Sequence, residues 1–498
     1  MKKLAVVYLI IASICAIIQV VLGVNFPILI ALYIISVCGF LSIYSNTLSV
    51  SSIIYFSICL YSGFFAICIK TILWQPLQQN LYDPDTSAII VFTGHMATTA
   101  AYLIAQRFPV RFRSLQNLKL DFDATGARTP LYLIMFTIGF VALVIHEQLR
   151  PQFTNGSTDA IGGFGGFGAF YFLLVFGFAG QVTRAVTSRM RGADATVALV
   201  MFILITALSF AANVKKDVMD AALVVALVFI FYRLKVKPRY IVAAFAFLFV
   251  SQFVISPLIH ITRAEQTHKT VSERVDLTMA ILKQNNYDLA KINALNDKVY
   301  KGFSNNYRSS GSYVYPSTAN IDRFALILPA DQVSRVQDPG RVTPGELVQL
   351  IGQRTLPSVL ISKSPGVLAD VVSWKYGFRT YLTVGRPVVG LSASSYAVGG
   401  IPAVIGVSFF LMLVIFLVLD VIGGAMTPSP WSIAMVVTLS NIPEKEIDAL
   451  LGILLRDIPL TVITLAIFVM LARMAFSGTS ASADPRALRY AATPGRRV

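Results

Sequence analysis

Charge is scarce in this chain of 498 residues: 13% are Asp, Glu, Lys or Arg against 56% hydrophobic, and the mean hydropathy is +0.70. A soluble domain carries about a quarter charged residues, so that class is excluded and a polytopic membrane protein remains. Cysteine is scarcer still. Cys15, Cys38, Cys59 and Cys68 all lie in apolar runs near the N-terminus, where they read as small packing residues and leave no basis for a disulfide or zinc framework. No HExxH and no Walker sequence is present, so no metal or other cofactor is expected. A glycine run, "IGGFGGFGAF" at 161–170, lacks the lysine of a nucleotide loop; it predicts close helix packing with a Phe face toward lipid.

What is present in quantity is apolar sequence. A span needs about 20 mostly apolar residues, and on that ruler crossings fall near 4–22, 26–44, 50–69, 87–106, 130–145, 164–182, 196–214, 218–231, 240–261, 399–421, 431–442 and 450–471. The expected fold is therefore an all-α polytopic bundle of about 12 transmembrane helices. The first segment follows Met1-Lys2-Lys3 and lacks a small-x-small cleavage site, so it reads as a retained helix. The chain divides into nine spans over 1–261, one large polar loop over 262–398, further spans over 399–474 and a small, basic tail over 475–498.

Orientation follows from the distribution of Lys and Arg. One loop carries Arg107, Arg111, Arg113, Lys119 and Arg128, the next on that side Arg184, Arg189 and Arg191, and the next Arg233, Lys235, Lys237 and Arg239. These loops are expected in the cytoplasm with both termini, which makes 262–398 an outward, periplasmic loop of a bacterial inner-membrane protein. That loop is net basic, with 16 Lys and Arg against 10 Asp and Glu. The excess is sorted to an outer surface, so it points away from nucleic acid as a partner. Apolar residues at helical spacing, Val275, Met279, Leu282, Leu289, Ile292, Leu295 and Val299, predict amphipathic helices between about 270 and 300. From 302 to 344 the Ser, Asn, Gly and Pro content predicts loops and short turns.

A basic outer surface suits an anionic substrate, and phosphate is the natural one. In "LSFAANVKKDVMDAAL", 208–223, Lys215 and Lys216 open a helix whose free N–H groups would add to their field. The alternative is a solvated hairpin in which Asp217 caps the next helix. Asp220 stands four residues from Lys216, on the same face, and the two can pair. Arg263 lies at the mouth of the ninth span, where snorkelling is also a sufficient account. His260 and His268 are the outward histidines, each either a general base or interfacial packing. Pro257 is expected to kink its helix.

Three stretches resemble a known family. "IDRFALI" (321–327), "GRVTPGELVQLIGQRTLPSVLISKSPG" (340–366) and "SSYAVGGIPAVIG" (394–406) look like the large periplasmic loop and next span of the Wzy-type oligosaccharide repeat-unit polymerases. Arg323, Gly345, Arg354, Pro357, Lys363, Pro365, Tyr396, Gly399 and Gly400 fall in the family's order. Two departures stand: Arg354 precedes Pro357, and "KSP" replaces Lys-Pro. The family's upstream Gly-Ser-Arg would fall at "NVKKD", where lysine lacks the bidentate fork of arginine.

The resemblance implies a GT-C-like membrane fold and transfer of a glycan from undecaprenyl diphosphate to an incoming lipid-linked unit. Its implied partners are that lipid-linked oligosaccharide, the surrounding lipids and a chain-length regulator. Lys215, Lys216, Arg263 and Arg323 are then expected at the diphosphate, with Arg354, Lys363 and Tyr396 along the glycan. The general base is left open among Glu265, His268 and Asp322. An O-antigen-ligase-like transferase, a lipid-linked oligosaccharide flippase and a structural subunit of an export complex are the alternative classes.

Overall fold

A computed structural model describes residues 2–44, 48–108, 111–149, 165–188, 192–234 apart from 213 and 215, 255–264, 271–305, 313–314, 323–336, 340–356, 360–361, 366–377, 388–426 and 428–476, with isolated positions between 238 and 250. The described residues form helices joined by turns, with no strand among them, and nine of these helices are long and apolar enough to cross a membrane. These are α1 (Lys2–Val21), α2 (Phe26–Tyr44), α3 (Val50–Ile72), α4 (Pro84–Arg107), α6 (Leu131–Leu149), α7 (Tyr171–Thr187), α8 (Ala193–Ala211), α16 (Gly390–Gly423) and α18 (Ile447–Phe476). Between α4 and α6 lies the amphipathic α5 (Arg113–Arg128).

The remaining expected crossings fare differently. The eighth is α9 (Lys216–Phe231), of 16 residues. The eleventh, expected at 431–442, is a nine-residue helix, α17 (Pro430–Thr438), which Leu439–Glu446 then turns into α18. Nine residues rise only about 13 Å, less than half of a bilayer core, so this segment is a partial entry and not a span. Most of the ninth falls outside the described residues. Its end is α10 (Ser256–Ala264), which carries Pro257; residues 251–254 just before it, where the expected kink would show, lie outside the described residues.

Two faces can be told apart. On one, the Gln19 side chain at the end of α1 donates to Thr71 Oγ1 (3.1 Å) and to the Gln75 carbonyl (2.9 Å) and accepts from the Leu77 amide (3.0 Å). On the other, Asp420 of α16 accepts from Ser51 Oγ (2.6 Å) and from Gln106 Nε2 (3.0 Å), Lys119 of α5 donates to the Gly423 carbonyl (3.1 Å), and Arg473 pairs with Asp121. Helix α5, with Lys119, thus lies at the face opposite the large loop. Closest packing occurs where α6 and α7 cross: a Cβ on Gly139 or Gly177 would collide with the backbone of the facing helix, so glycine permits that approach. Helix α7 is the most enclosed span, with Phe172, Phe176 and Phe178 all buried. Phe170, at the end of the glycine run, is half-buried and packs against the core, while residues 161–164 of the run lie outside the described residues.

The loop forms α11 (Val271–Gln284), α12 (Leu289–Asn305), α13 (Ile327–Ser334), α14 (Pro344–Thr355) and α15 (Leu368–Lys375). The amphipathic pair stands where it was expected, but its buried stripe differs. Ile281 and Ile292 pack with Leu258 and Ile261 of α10 and with Leu277, Leu282 and Leu295, whereas Val275, Met279 and Leu289 are exposed. Helix α13 interrupts the stretch read as turns, and α14 opens with a capping box in which the Thr343 and Glu346 side chains satisfy each other's amides.

Two buried polar anchors dock the loop onto the α3–α4 hairpin. The fully buried Lys70 ammonium donates to Gln75 Oε1 (3.2 Å) and the Gln79 carbonyl (2.8 Å) and lies 4.3 Å from the ring centroid of Tyr313. Tyr313 in turn donates to the Leu77 carbonyl at 2.9 Å. The Asp331 carboxylate, also fully buried, accepts the Tyr82 and Asp83 amides at 2.8 Å each and pairs with Arg335 at 3.1 Å.

Candidate functional site

The α9 N-terminus supplies the first charges. Lys216 pairs with Asp220, Tyr171 Oη donates to the same Asp220 carboxylate at 2.9 Å, and the Lys216 ammonium stands 4.8 Å from the Tyr171 ring centroid. The i,i+4 pairing read from the sequence is therefore made. Asp217 and Asp220 are both buried, so this is not a solvated hairpin.

The loop and the turn before α18 supply the rest. Arg323 meets Glu444 at 2.7 Å, and Arg323, Glu444 and Asp220 all lie close enough to act on the Tyr61 phenol of α3. Burial lowers the affinity of Lys445 for its proton; Glu446 and Glu444 work against that, while Arg354 and Lys216 reinforce it. Glu446 is held above the usual carboxylate range by burial first and by neighbouring Asp448 second. Arg354, on α14, lies so close to α18 that a Cβ at Gly452 would meet its Cγ at 2.8 Å, and Arg456 donates to the Arg354 carbonyl at 2.9 Å.

Lys216, Arg323, Arg354 and Lys445 therefore gather from four segments of the chain between positions 216 and 445. None is a bare cation field, because acids accompany them. The Lys216 and Arg323 side chains are 39% and 52% exposed, with Asp220 and Glu444 as their ion-pair partners.

A second loop cluster stands apart in its contacts. Lys375 pairs with Glu346 at 2.6 Å and donates to the Arg341 carbonyl at 2.9 Å, while the Arg341 guanidinium lies 5.9 Å from the Tyr376 ring centroid. The hydrogen bond from Lys375 holds the Glu346 carboxyl below its ordinary value. Tyr396 belongs here, beside Tyr376. The cluster sits on a break in α16 at Gly399 and Gly400, where the Ala397 carbonyl accepts the Val342 amide (3.1 Å) and the Tyr376 hydroxyl (3.3 Å).

Of the other site residues expected from the sequence, Lys215, Glu265, His268, Asp322 and Lys363 lie outside the described residues, as does the side chain of Arg263. Sequence reading missed Glu444, Lys445 and Glu446. The signal was there in "PEKE" at 443–446, a charge run between two apolar stretches, but the region was read as the join of two ordinary spans. It also passed over the acidic pair Asp83 and Asp85. Asp83 caps α4 by accepting the Thr86 amide (3.1 Å) and Asp85 accepts from Asn25 (2.9 Å), so both have structural partners. Compared with protein-family models, curated proteins and solved structures, the chain finds no match.

Proposed function

We propose that the protein is a glycosyltransferase that polymerises undecaprenyl-diphosphate-linked oligosaccharide repeat units at the outer face of the bacterial inner membrane, for O-antigen, capsule or exopolysaccharide. The observation that carries the reading is the gathering of Lys216, Arg323, Arg354 and Lys445 around Glu444 and Asp220. A lipid diphosphate brings several anionic oxygens to the membrane surface. It can replace the two acids as partner of Lys216 and Arg323, the latter through a bidentate fork.

In this reading the acceptor sugar hydroxyl loses its proton to a base, with Glu265, His268 and Asp322 as the candidates, and its oxygen attacks the anomeric carbon of the donor. The bond from that carbon to the diphosphate breaks, and the electron pair leaves on the diphosphate. The cations stabilise that developing charge by standing in place before it forms. The order of Arg323, Arg354 and Tyr396 along the chain, and a large loop seated on a broken helix, agree with the resemblance to Wzy-type polymerases.

Gel analysis of surface glycans from cells lacking the protein tests the reading. Polymerase loss leaves a single repeat unit on its acceptor. Full-length polymer stranded on the carrier lipid would instead mean ligation, and single lipid-linked units backing up on the inner side would mean transport.

A further inference from the structure

Helix α4 keeps one side open along its length. Ile89, Ala100 and Leu103 are exposed and Met96 is half-buried, and their spacing places all four in one stripe of the helix. In a spanning helix an uncovered apolar stripe faces lipid. Arg107, four residues after Leu103 and exposed as well, is the next position of that stripe. A basic side chain there lays its stem along the lipid and carries its guanidinium among the headgroups.

The chain then stays at that height. Phe108 follows Arg107, and Arg111 and Phe112 lead into α5 at Arg113, with residues 109–110 between them outside the described residues. Helix α5 is pinned to the ends of two spans: Lys119 donates to the carbonyl of Gly423, the last residue of α16, and Asp121 pairs with Arg473 in the last turn of α18. Arg111 is four residues from Arg107, so the two lie within about 14 Å of each other even along a fully extended chain.

Positive charge on this face is expected from topology alone, but two further features are not. Arg184 and Arg473 on the same face pair with Asp194 and Asp121, whereas Arg107, Arg111 and Arg113 meet no carboxylate among the described residues, so their donors are open to a phosphate. Between them Phe108 and Phe112 are 65% and 53% exposed. Two open aromatic rings among three arginines are unfavourable in water and suit the boundary of headgroup and acyl chain.

We propose that Arg107, Phe108, Arg111, Phe112 and Arg113 form a binding site for an anionic phospholipid of the surrounding bilayer, on the face opposite the large loop. The arginines take the phosphate and the rings lie against the upper acyl chain. The inference is independent of the proposed function.

The test is native mass spectrometry of the full-length protein in detergent, titrated with phosphatidylglycerol or with phosphatidylcholine of the same chains; both carry one phosphate, and only the first has a net charge. The wild type is expected to bind phosphatidylglycerol more tightly. Combined Arg107→Gln, Arg111→Gln and Arg113→Gln should weaken phosphatidylglycerol about a hundredfold, the scale of three basic side chains at an anionic surface, and leave phosphatidylcholine unchanged. Combined Lys3→Gln, Arg128→Gln and Arg233→Gln, which removes the same charge from three exposed cations of that face, should leave phosphatidylglycerol binding nearly unchanged. Phe108→Ser with Phe112→Ser should weaken it severalfold at constant charge. Equal losses from the two charge variants would show that net charge alone is read and would overturn the site. So would a wild type that binds the two lipids alike, a result that needs no variant to fold.

Discussion

Arg323 and Glu444 meet at 2.7 Å across 121 residues of chain, and that contact joins the large loop to the turn that precedes the last span. If the pair is a latch opened by an anion, the two partners have unequal roles. Arg323→Ala removes a ligand of the diphosphate and is expected to abolish long glycan while leaving membrane insertion intact. Glu444→Gln frees the arginine and is expected to keep polymer formation, with tighter binding of bare undecaprenyl diphosphate. Normal ladders from Arg323→Ala would remove this residue from the site.

Asp331→Ala should unseat the loop. Two backbone amides and the Arg335 guanidinium would lose a fully buried acceptor. Breaking such a pair from one side costs about 3–5 kcal/mol, so the thermal midpoint of detergent-purified protein should fall by several degrees. Limited proteolysis should then cut within 262–398 at protease concentrations the wild type resists. An unchanged midpoint and cleavage pattern would show that the anchor is dispensable.

The pH dependence of stability has a candidate on the opposite face. Burial raises the Asp123 carboxyl from its ordinary value to about 6, against the lowering effect of the Trp431 amide and Lys119. Above its unfolded value of about 4, the folded protein keeps a proton that the unfolded chain has lost. Stability should therefore fall as pH rises from about 4 to about 6 and then level off. Asp123→Asn should remove this part of the slope, on the order of 2–3 kcal/mol. Chemical unfolding in detergent at pH 4.5 and pH 7 checks it, and parallel losses in variant and wild type would contradict it.

Much of the helical frame was legible because membrane spans announce themselves by length and composition. What was hidden are the places where the chain departs from a regular span. Leu439–Glu446 looked like a link between two crossings because the count of apolar residues does not report where a short helix stops. The Lys216–Asp220 pair was legible from i,i+4 spacing alone, whereas its neighbours Arg354 and Lys445 reach it only through the docking of α14 on α18. Val275 and Met279 share a helical period with Leu282, but the side that α10 covers is decided by tertiary packing, and periodicity cannot name it.

The break in α16 gives the last prediction. Gly400 has φ 63° and ψ −157°, a region that is essentially closed to residues with a Cβ. Gly399 has φ −160° and ψ 28°, so its strain under substitution should be smaller. Gly400→Ala must either hold that conformation at a cost of about 1–3 kcal/mol or let the helix run on through the break. Running on would return the Ala397 carbonyl to a helical amide four residues ahead, and the Val342 amide and Tyr376 hydroxyl would both lose it. Either outcome loosens the cluster of Arg341, Lys375 and Tyr396 on the loop. Gly400→Ala should therefore lower the yield of long glycan more than its effect on the thermal midpoint would explain. Gly406→Ala, where a Cβ meets open space within the same helix, should leave both unchanged. If the two variants behaved alike, the break would be a feature of packing alone, without a part in seating the loop.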